Sequence, residues 1–280
     1  MAKKNPFIKP YLKWAGGKRQ LLPEIMKYVP KKFNTYYEPF IGAGAVFLHL
    51  QPKRAVINDF NSQLVMTYET IRDNVDELIV LLSEHKERNN EDYFYEIREM
   101  DRSKDFERMT NVEKAARLIY LNKTCFNGLY RVNSAGLFNV PFGRYKNPAI
   151  LEEPVLRALS QYLSDSKNDI KILNGDFKKS LEGVQKGDLV YADPPYHSPD
   201  NTNFTGYQAG GFSEDDQIRL RDEMIRLTNI GAKCIFSNSD TPFIREIYSD
   251  FRIEQVDAKR NINSDASARG NVKEVIITNW

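Results

Sequence analysis

The interval between its second and third strand-like segments constrains this 280-residue chain most. Ala55-Val56-Ile57 ends at Asn58-Asp59, and the next comparable segment, Ile170 to Leu173, ends at Gly175-Asp176-Phe177. A parallel crossover needs only a dozen or so residues, so the stretch between them must hold an inserted subdomain. On either side, apolar runs alternate with polar, glycine- or proline-bearing turns. Tyr36 to Phe40 leads into Gly42-Ala43-Gly44 and an apolar helix from Ala45 to Leu50. Leu189 to Ala192 ends at Asp193-Pro194-Pro195-Tyr196, and Cys234 to Phe236 ends at Ser237-Asn238-Ser239-Asp240. Phe251 to Val256 and Glu274 to Thr278 close the chain as paired strands. A helix over Glu214 to Asn229 opens on a Ser213 cap. This pattern predicts an α/β fold with a mostly parallel, seven-stranded, Rossmann-like sheet and helices on both faces. One domain is expected from 1–61 with 166–280, and the insert over 62–165.

The first part of the insert reads as helices over Ser62 to Arg72, Val75 to Glu87, Tyr93 to Met100 and Val112 to Asn122. Its last part reads as a β-hairpin, Tyr130 to Asn133 and Leu137 to Val140 around Ser134-Ala135-Gly136. Asp200 to Gly211 reads as a loop. Net charge is only +2, but cations are unevenly placed. Met1 to Lys32 holds one acid, Glu24, and Lys114 to Leu151 holds none. Such patches suit phosphate contacts or a merely solvated basic surface. No run approaches the roughly 20 apolar residues of a membrane span. The basic start is followed by no apolar stretch, so no signal peptide is expected. Two distant cysteines, Cys125 and Cys234, and three scattered histidines predict no metal site and a reducing, cytoplasmic setting.

Three motifs carry candidate chemistry. Glycines after a strand and before a helix, Gly42 and Gly44, let backbone approach a ligand closely or simply make a tight turn. Asp59, at the end of the second strand, suits a carboxylate that accepts both ribose hydroxyls of a nucleoside, or an exposed turn residue. Asp193-Pro194-Pro195-Tyr196 is the most specific. The amino nitrogen of a base such as adenine is a poor nucleophile because its lone pair is conjugated. A carboxylate (Asp193) and a carbonyl (Pro194), each accepting one N–H, would favour a pyramidal nitrogen. Tyr196 offers a stacking face for a base rotated out of a duplex. No protein nucleophile is required in such an in-line transfer.

With these segments in this order, the chain resembles the Dam-type family of DNA adenine-N6 methyltransferases, α group. The likeness spans nearly the whole chain. It rests on Lys13-Trp14-Ala15-Gly16-Gly17-Lys18, Glu38 to Gly44, Asn58-Asp59 and Phe126-Asn127-Gly128-Leu129-Tyr130-Arg131. Phe138 to Tyr145, Asp193 to Tyr196 and Ser237-Asn238 complete it.

The resemblance implies a sheet of the S-adenosylmethionine-dependent methyltransferase type and an insert that recognises the target. It implies S-adenosylmethionine as methyl donor, no metal, and adenine N6 in double-stranded DNA at GATC as target, reached by base flipping. Trp14, Lys18, Phe40, Gly42, Gly44, Asp59, Asp176, Phe177 and Asp193 are the expected cofactor residues. Asp193, Pro194 and Tyr196 are the expected catalytic ones. Arg131 is expected to read a guanine in the major groove, with Lys13, Phe126, Asn127, Leu129 and Pro141 among the DNA contacts. Family members often carry Tyr where this chain has Phe126, so an aromatic wedge is kept without its hydroxyl. A monomer is expected, acting alone or sharing its site with a restriction endonuclease without a stable complex. Competing readings are an rRNA adenine-N6 or DNA cytosine-N4 methyltransferase, a nicotinamide oxidoreductase, and a DNA-binding protein without catalysis.

Overall fold

The computed structural model describes residues 4–14, 21–198, 211–259 and 271–280. Lys18 and nearly all of the expected loop from Asp200 lie outside the described residues. The chain forms two compact units. One comprises 21–41, Pro52–Phe60 and the described residues from Asp169 onward. The other comprises 4–14, Gly42–Gln51 and Asn61–Asn168, so it takes in the segment before the first strand and a short helix in addition to the insert.

The first unit is built on a seven-stranded sheet. Its strands are β1 (Tyr36–Glu38), β2 (Arg54–Asp59), β3 (Asp169–Asn174), β4 (Leu189–Ala192), β5 (Lys233–Ser239), β6 (Arg252–Lys259) and β7 (Asn271–Thr278), in the spatial order β3-β2-β1-β4-β5-β7-β6. The first five pair in parallel, and β7 runs antiparallel between β5 and β6. The order reverses between β1 and β4, and a crevice at such a switch point is where open α/β sheets bind ligands. Central β4 is buried along its whole length, whereas edge strand β3 alternates and is largely exposed. Strand β5 runs further than the sequence suggests. Ser237, Asn238 and Ser239 lie inside it because β7 continues the ladder to Glu274.

In this unit the helices are α1 (Leu22–Tyr28), α8 (Phe177–Ser180), α9 (Glu214–Ile230) and α10 (Pro242–Ile247). A reciprocal Ser213–Asp216 capping box starts α9, and Gly231 at φ +87° ends it. Phe177, Leu220, Met224, Leu227 and Ile244 pack from these helices onto Val190, Cys234, Phe236, Val275 and Ile277 of the sheet. The opposite sheet face, with Tyr36, Ile57, Tyr191, Ile235 and Ile276, is buried as well.

The second unit holds α2 (Ala45–Leu50), α3 (Ser62–Asp73), α4 (Val75–Arg88), α5 (Glu91–Glu99), α6 (Asn111–Thr124) and α7 (Glu153–Ser164). Asn61 caps α3, and a Thr110–Glu113 box caps α6, whose side chains are buried nearly all round. The expected hairpin is present in reduced form. Val132 and Phe138 make its one antiparallel bridge, and Gly136 turns at φ +76°. No helix among the described residues is long and apolar enough to cross a membrane.

His85 gives this helical unit a pH dependence. Its ring stacks on Tyr120 at 4.9 Å, and Nδ1 lies 2.7 Å from the Tyr93 hydroxyl. Burial, and then the nearby Arg88 cation, lowers its pKa from 6.5 to about 4. The unfolded chain therefore binds the proton more readily. His85 contributes stability in full above pH 6.5, and that contribution is lost as pH falls towards 4, amounting to roughly 3 kcal/mol. His85→Phe is expected to flatten the stability profile between pH 7 and 4. An unchanged slope in urea titrations would exclude His85 as its source.

Candidate active site and nucleic-acid interface

Asp193-Pro194-Pro195-Tyr196 leaves the carboxyl end of β4, beside the switch point, and sequence-distant side chains hold it and the His197 that follows. The Pro195 carbonyl accepts from Gln217 Nε2 at 2.8 Å, and Gln217 Oε1 accepts from Asn238 Nδ2 at 2.9 Å. Asn238 Oδ1 then accepts from the His197 backbone N–H at 3.1 Å, and the His197 carbonyl accepts from Ser239 Oγ at 2.6 Å. Gln217 and Asn238 are 0% and 1% exposed, so the closed ring of amides is shielded from water. The His197 ring is fixed too, by Thr241 Oγ1 at 2.9 Å, Glu214 Oε1 at 3.1 Å and the Phe243 ring. The Pro194 carbonyl accepts no hydrogen bond among the described residues, while its neighbour's is taken by Gln217.

Tyr196 donates its hydroxyl to Glu274 Oε2 at 2.7 Å, which anchors the far end of its half-buried ring. Burial, and next the Asp193 carboxylate, raises both the Tyr191 and Tyr196 phenols well above their ordinary range, so both stay protonated. Neither Gln217 nor Glu274 is visible as a site residue in the sequence. Glu274→Leu leaves the Tyr196 hydroxyl buried without this acceptor, a loss of about 1–3 kcal/mol. It is expected to lower kcat on the order of tenfold with little change in cofactor affinity. An unaltered kcat would show that Tyr196 needs no such anchor.

In the same unit, Phe40, Phe177 and Phe212 form an aromatic cluster with centroids 5.4–6.0 Å apart. They line a cavity of about 120 Å³ with Pro39, Phe60, Gly175, Asp176 and Asp216. Asn58 Nδ2 donates to the carbonyls of Pro39 and Gly175, both at 3.0 Å, and so joins the ends of β1 and β3 at its rim. Asp176 caps α8 with Oδ1 and accepts from Arg219 Nη2 with Oδ2 at 2.9 Å. Each carboxylate oxygen has a second lone pair, so these bonds leave Asp176 able to accept from an amino group. Arg219, unremarked in the sequence, also lies over the Phe177 ring at 5.1 Å.

The other unit holds Trp14, Gly42 and Gly44. Trp14 stacks on Tyr130 at 5.0 Å. A Cβ on Gly42 would meet the Trp14 ring at 3.1 Å, and Gly42 turns at φ +48°. The Tyr68 hydroxyl donates to the Gly42 carbonyl at 3.0 Å and occupies the space beside Gly44. Backbone conformation strains any side chain at either glycine, and the Trp14 ring or the Tyr68 hydroxyl would have to give way to it.

The predicted DNA residues of this unit converge on two adjoining turns. After α6, Phe126 donates its N–H to the Pro141 carbonyl at 2.8 Å, and Asn127 turns at φ +57°. Phe126 is nonetheless 51% exposed, a large apolar ring held outward on a fixed turn. Buried Asn122 bonds the Lys13 backbone in both directions and the Gly128 carbonyl. The Lys13 chain lies across Gly128, with its ammonium 4.6 Å from the Tyr145 ring. On the hairpin, Arg131 Nε donates to Asn139 Oδ1 at 2.7 Å and Nη2 to the Asn139 carbonyl at 3.2 Å, which fixes the guanidinium plane. Leu129 is half-buried and Pro141 exposed.

A profile of the D12 class N6 adenine-specific DNA methyltransferases matches residues 14–262. The chain belongs to this family. It is 46% identical to the type II methyltransferase M1.LlaDCHI of Lactococcus lactis subsp. cremoris, over 98% of this chain and 96% of that one. It is 36% identical to the DNA adenine methylase of Haemophilus influenzae, over 96% and 92% of the two chains. The corresponding figures for the DNA adenine methylase of Escherichia coli K12 are 33%, 95% and 93%. It is therefore a DNA adenine-N6 methyltransferase, and the family implies S-adenosylmethionine as donor. The residues present fit that group: the aromatic cavity with a carboxylate at its rim suits an adenine ring and its amino group.

Proposed function

We propose that this enzyme methylates N6 of adenine in double-stranded DNA at GATC, on a base flipped out of the duplex. The observation that carries the reading is the clamped Asp193–Tyr196 segment beside the switch point of the sheet. Phe40, Phe177 and Asp176 would hold the donor's adenine, Asp59 its ribose hydroxyls, and Trp14, Lys18 and the Gly42–Gly44 turn the remainder. When bound, S-adenosylmethionine supplies a methyl group made electrophilic by its sulfonium. Asp193 and the Pro194 carbonyl each accept one N–H of the target amino group and direct its lone pair outward. Tyr196, protonated and tethered, stacks on the base. The gain comes from positioning and from fixed dipoles that need no reorganisation.

Phe126 would enter the space the flipped adenine leaves. Arg131 would read a guanine edge, with Lys13, Asn127, Leu129 and Pro141 beside the target. The enzyme would act as a cytoplasmic monomer, alone or alongside a restriction endonuclease that shares its site.

The test is methyl transfer from labelled S-adenosylmethionine to two duplexes of matched composition, one with a single GATC. Label on the first alone, recovered as N6-methyladenine, is the expected result. Label on both would discard GATC, and label only on RNA would discard the DNA substrate.

A further inference from the structure

The hairpin that carries Arg131 is held by side chains in place of a third strand. Along a strand, successive residues direct their N–H and C=O to opposite edges. Leu137 and Asn139 face the outgoing arm: the Leu137 carbonyl accepts from Asn133 N at 2.9 Å, and Asn139 N donates to the Arg131 carbonyl at 3.1 Å. Phe138 between them faces the other way. Its N–H donates to Asp101 Oδ2 at 2.9 Å, and its carbonyl accepts from Arg102 Nη2 at 2.8 Å. Two adjacent side chains of a 3-10 turn (Met100–Arg102) thus supply the acceptor and donor that a neighbouring strand would present.

Those side chains are fixed in turn. Arg117 of α6 pairs with Asp101 Oδ2 at 2.8 Å, and the two are 3% and 6% exposed. Arg117 also donates to the carbonyls of Ile97 and Arg98 at the end of α5, at 2.8 and 2.7 Å. Arg102 bonds Asp101, the Arg98 carbonyl and Glu99. A lone two-stranded ribbon is marginal in water. Only one bridge pair joins these arms, so the ribbon's place on the helices is fixed by its buried Phe138 and Val140 side chains together with this second edge.

We propose that Asp101 and Arg102 are positioning residues for target discrimination. They set the height of Phe138, hence of Asn139 and the Arg131 guanidinium it orients, and so determine how sharply one base pair is read. The proposal rests on Arg131 being a guanine reader. Buried polar groups are worth most when geometry is fixed, and a bidentate base contact tolerates little displacement.

The experiment compares Arg102→Leu, Arg131→Ala and the double variant in the full-length enzyme. Arg102→Leu removes the donor to Phe138 and leaves the buried Asp101–Arg117 pair in place. For each, kcat/KM is measured on the preferred duplex and on duplexes altered at one base pair at a time. Cofactor affinity and the thermal midpoint report folding. Arg131→Ala is expected to collapse discrimination at a single base pair. Arg102→Leu should lower discrimination about tenfold at that same pair, and the double variant should lose no more than Arg131→Ala alone. Unchanged discrimination in Arg102→Leu, or losses that multiply in the double variant, would overturn the positioning role while leaving Arg131 as reader. If Arg131→Ala alone leaves every base pair equally well discriminated, the reading of Arg131 fails and the proposal falls with it.

Discussion

Asp193→Ala is expected to lower the single-turnover rate of methyl transfer on the order of a hundred- to a thousandfold, while cofactor affinity weakens far less. The reason lies in what the segment does without Asp193. Pro195, Tyr196 and His197 keep their partners Gln217, Glu274 and Asn238, so the stacking face and the Pro194 carbonyl stay in place. On the proposed mechanism, what is lost is the acceptor that draws the amino lone pair out of conjugation. A conjugated amine has little nucleophilicity of its own, so most of the effect falls on the chemical step. Asp193→Asn keeps an acceptor oxygen but not its charge, and should sit between the two. Pre-steady-state transfer on a matched duplex, with cofactor affinity by calorimetry, checks this. A rate within tenfold of the parent would exclude Asp193 from the reacting centre. A loss confined to cofactor affinity would assign it to binding alone.

The parts of the fold that the sequence displayed are those whose signal is contiguous. Leu189 to Ala192 reads as a buried strand because all four residues are buried, and the Pro-Pro turn after it marks the strand end. The insert is legible because no parallel crossover needs so many residues. Ser237-Asn238-Ser239 illustrates what is lost. Three polar residues read as a turn, yet they continue β5 because β7 supplies the ladder and Tyr191, Gln217 and His197 satisfy their side chains.

Gln217 shows the same limit in a helix. On α9 it reads as one more polar surface residue, and it is fully buried because Pro195 and Asn238 take both ends of its amide. The candidate site was therefore visible as short motifs. The groups that aim those motifs come from elements far along the chain, and nothing local identifies them. Asp101, Asn122 and Glu274 are all of this kind.

Asp101→Leu carries the largest expected cost in stability, about 3–5 kcal/mol. Arg117 is 3% exposed, and burial pulls its guanidinium pKa down while Asp101 holds it up. Without the carboxylate, that cation keeps two neutral carbonyls and the face of the Phe106 ring, and Phe138 N–H loses its acceptor. The counter-variant separates these losses. Asp101→Leu with Arg117→Met replaces a buried ion pair by apolar groups of similar size, a change that is often neutral. It should regain most of the stability and leave a deficit of about 1–3 kcal/mol for the orphaned Phe138 amide, besides the loss of the Arg117 bonds to the Ile97 and Arg98 carbonyls. Chemical denaturation of the three proteins, with amide exchange at Phe138, measures both parts. Full recovery in the double variant, together with a protected Phe138 amide, would show that the hairpin is held by packing alone. Recovery of stability with rapid exchange at Phe138 is the expected outcome, because the ion pair serves the helices and the carboxylate serves the ribbon.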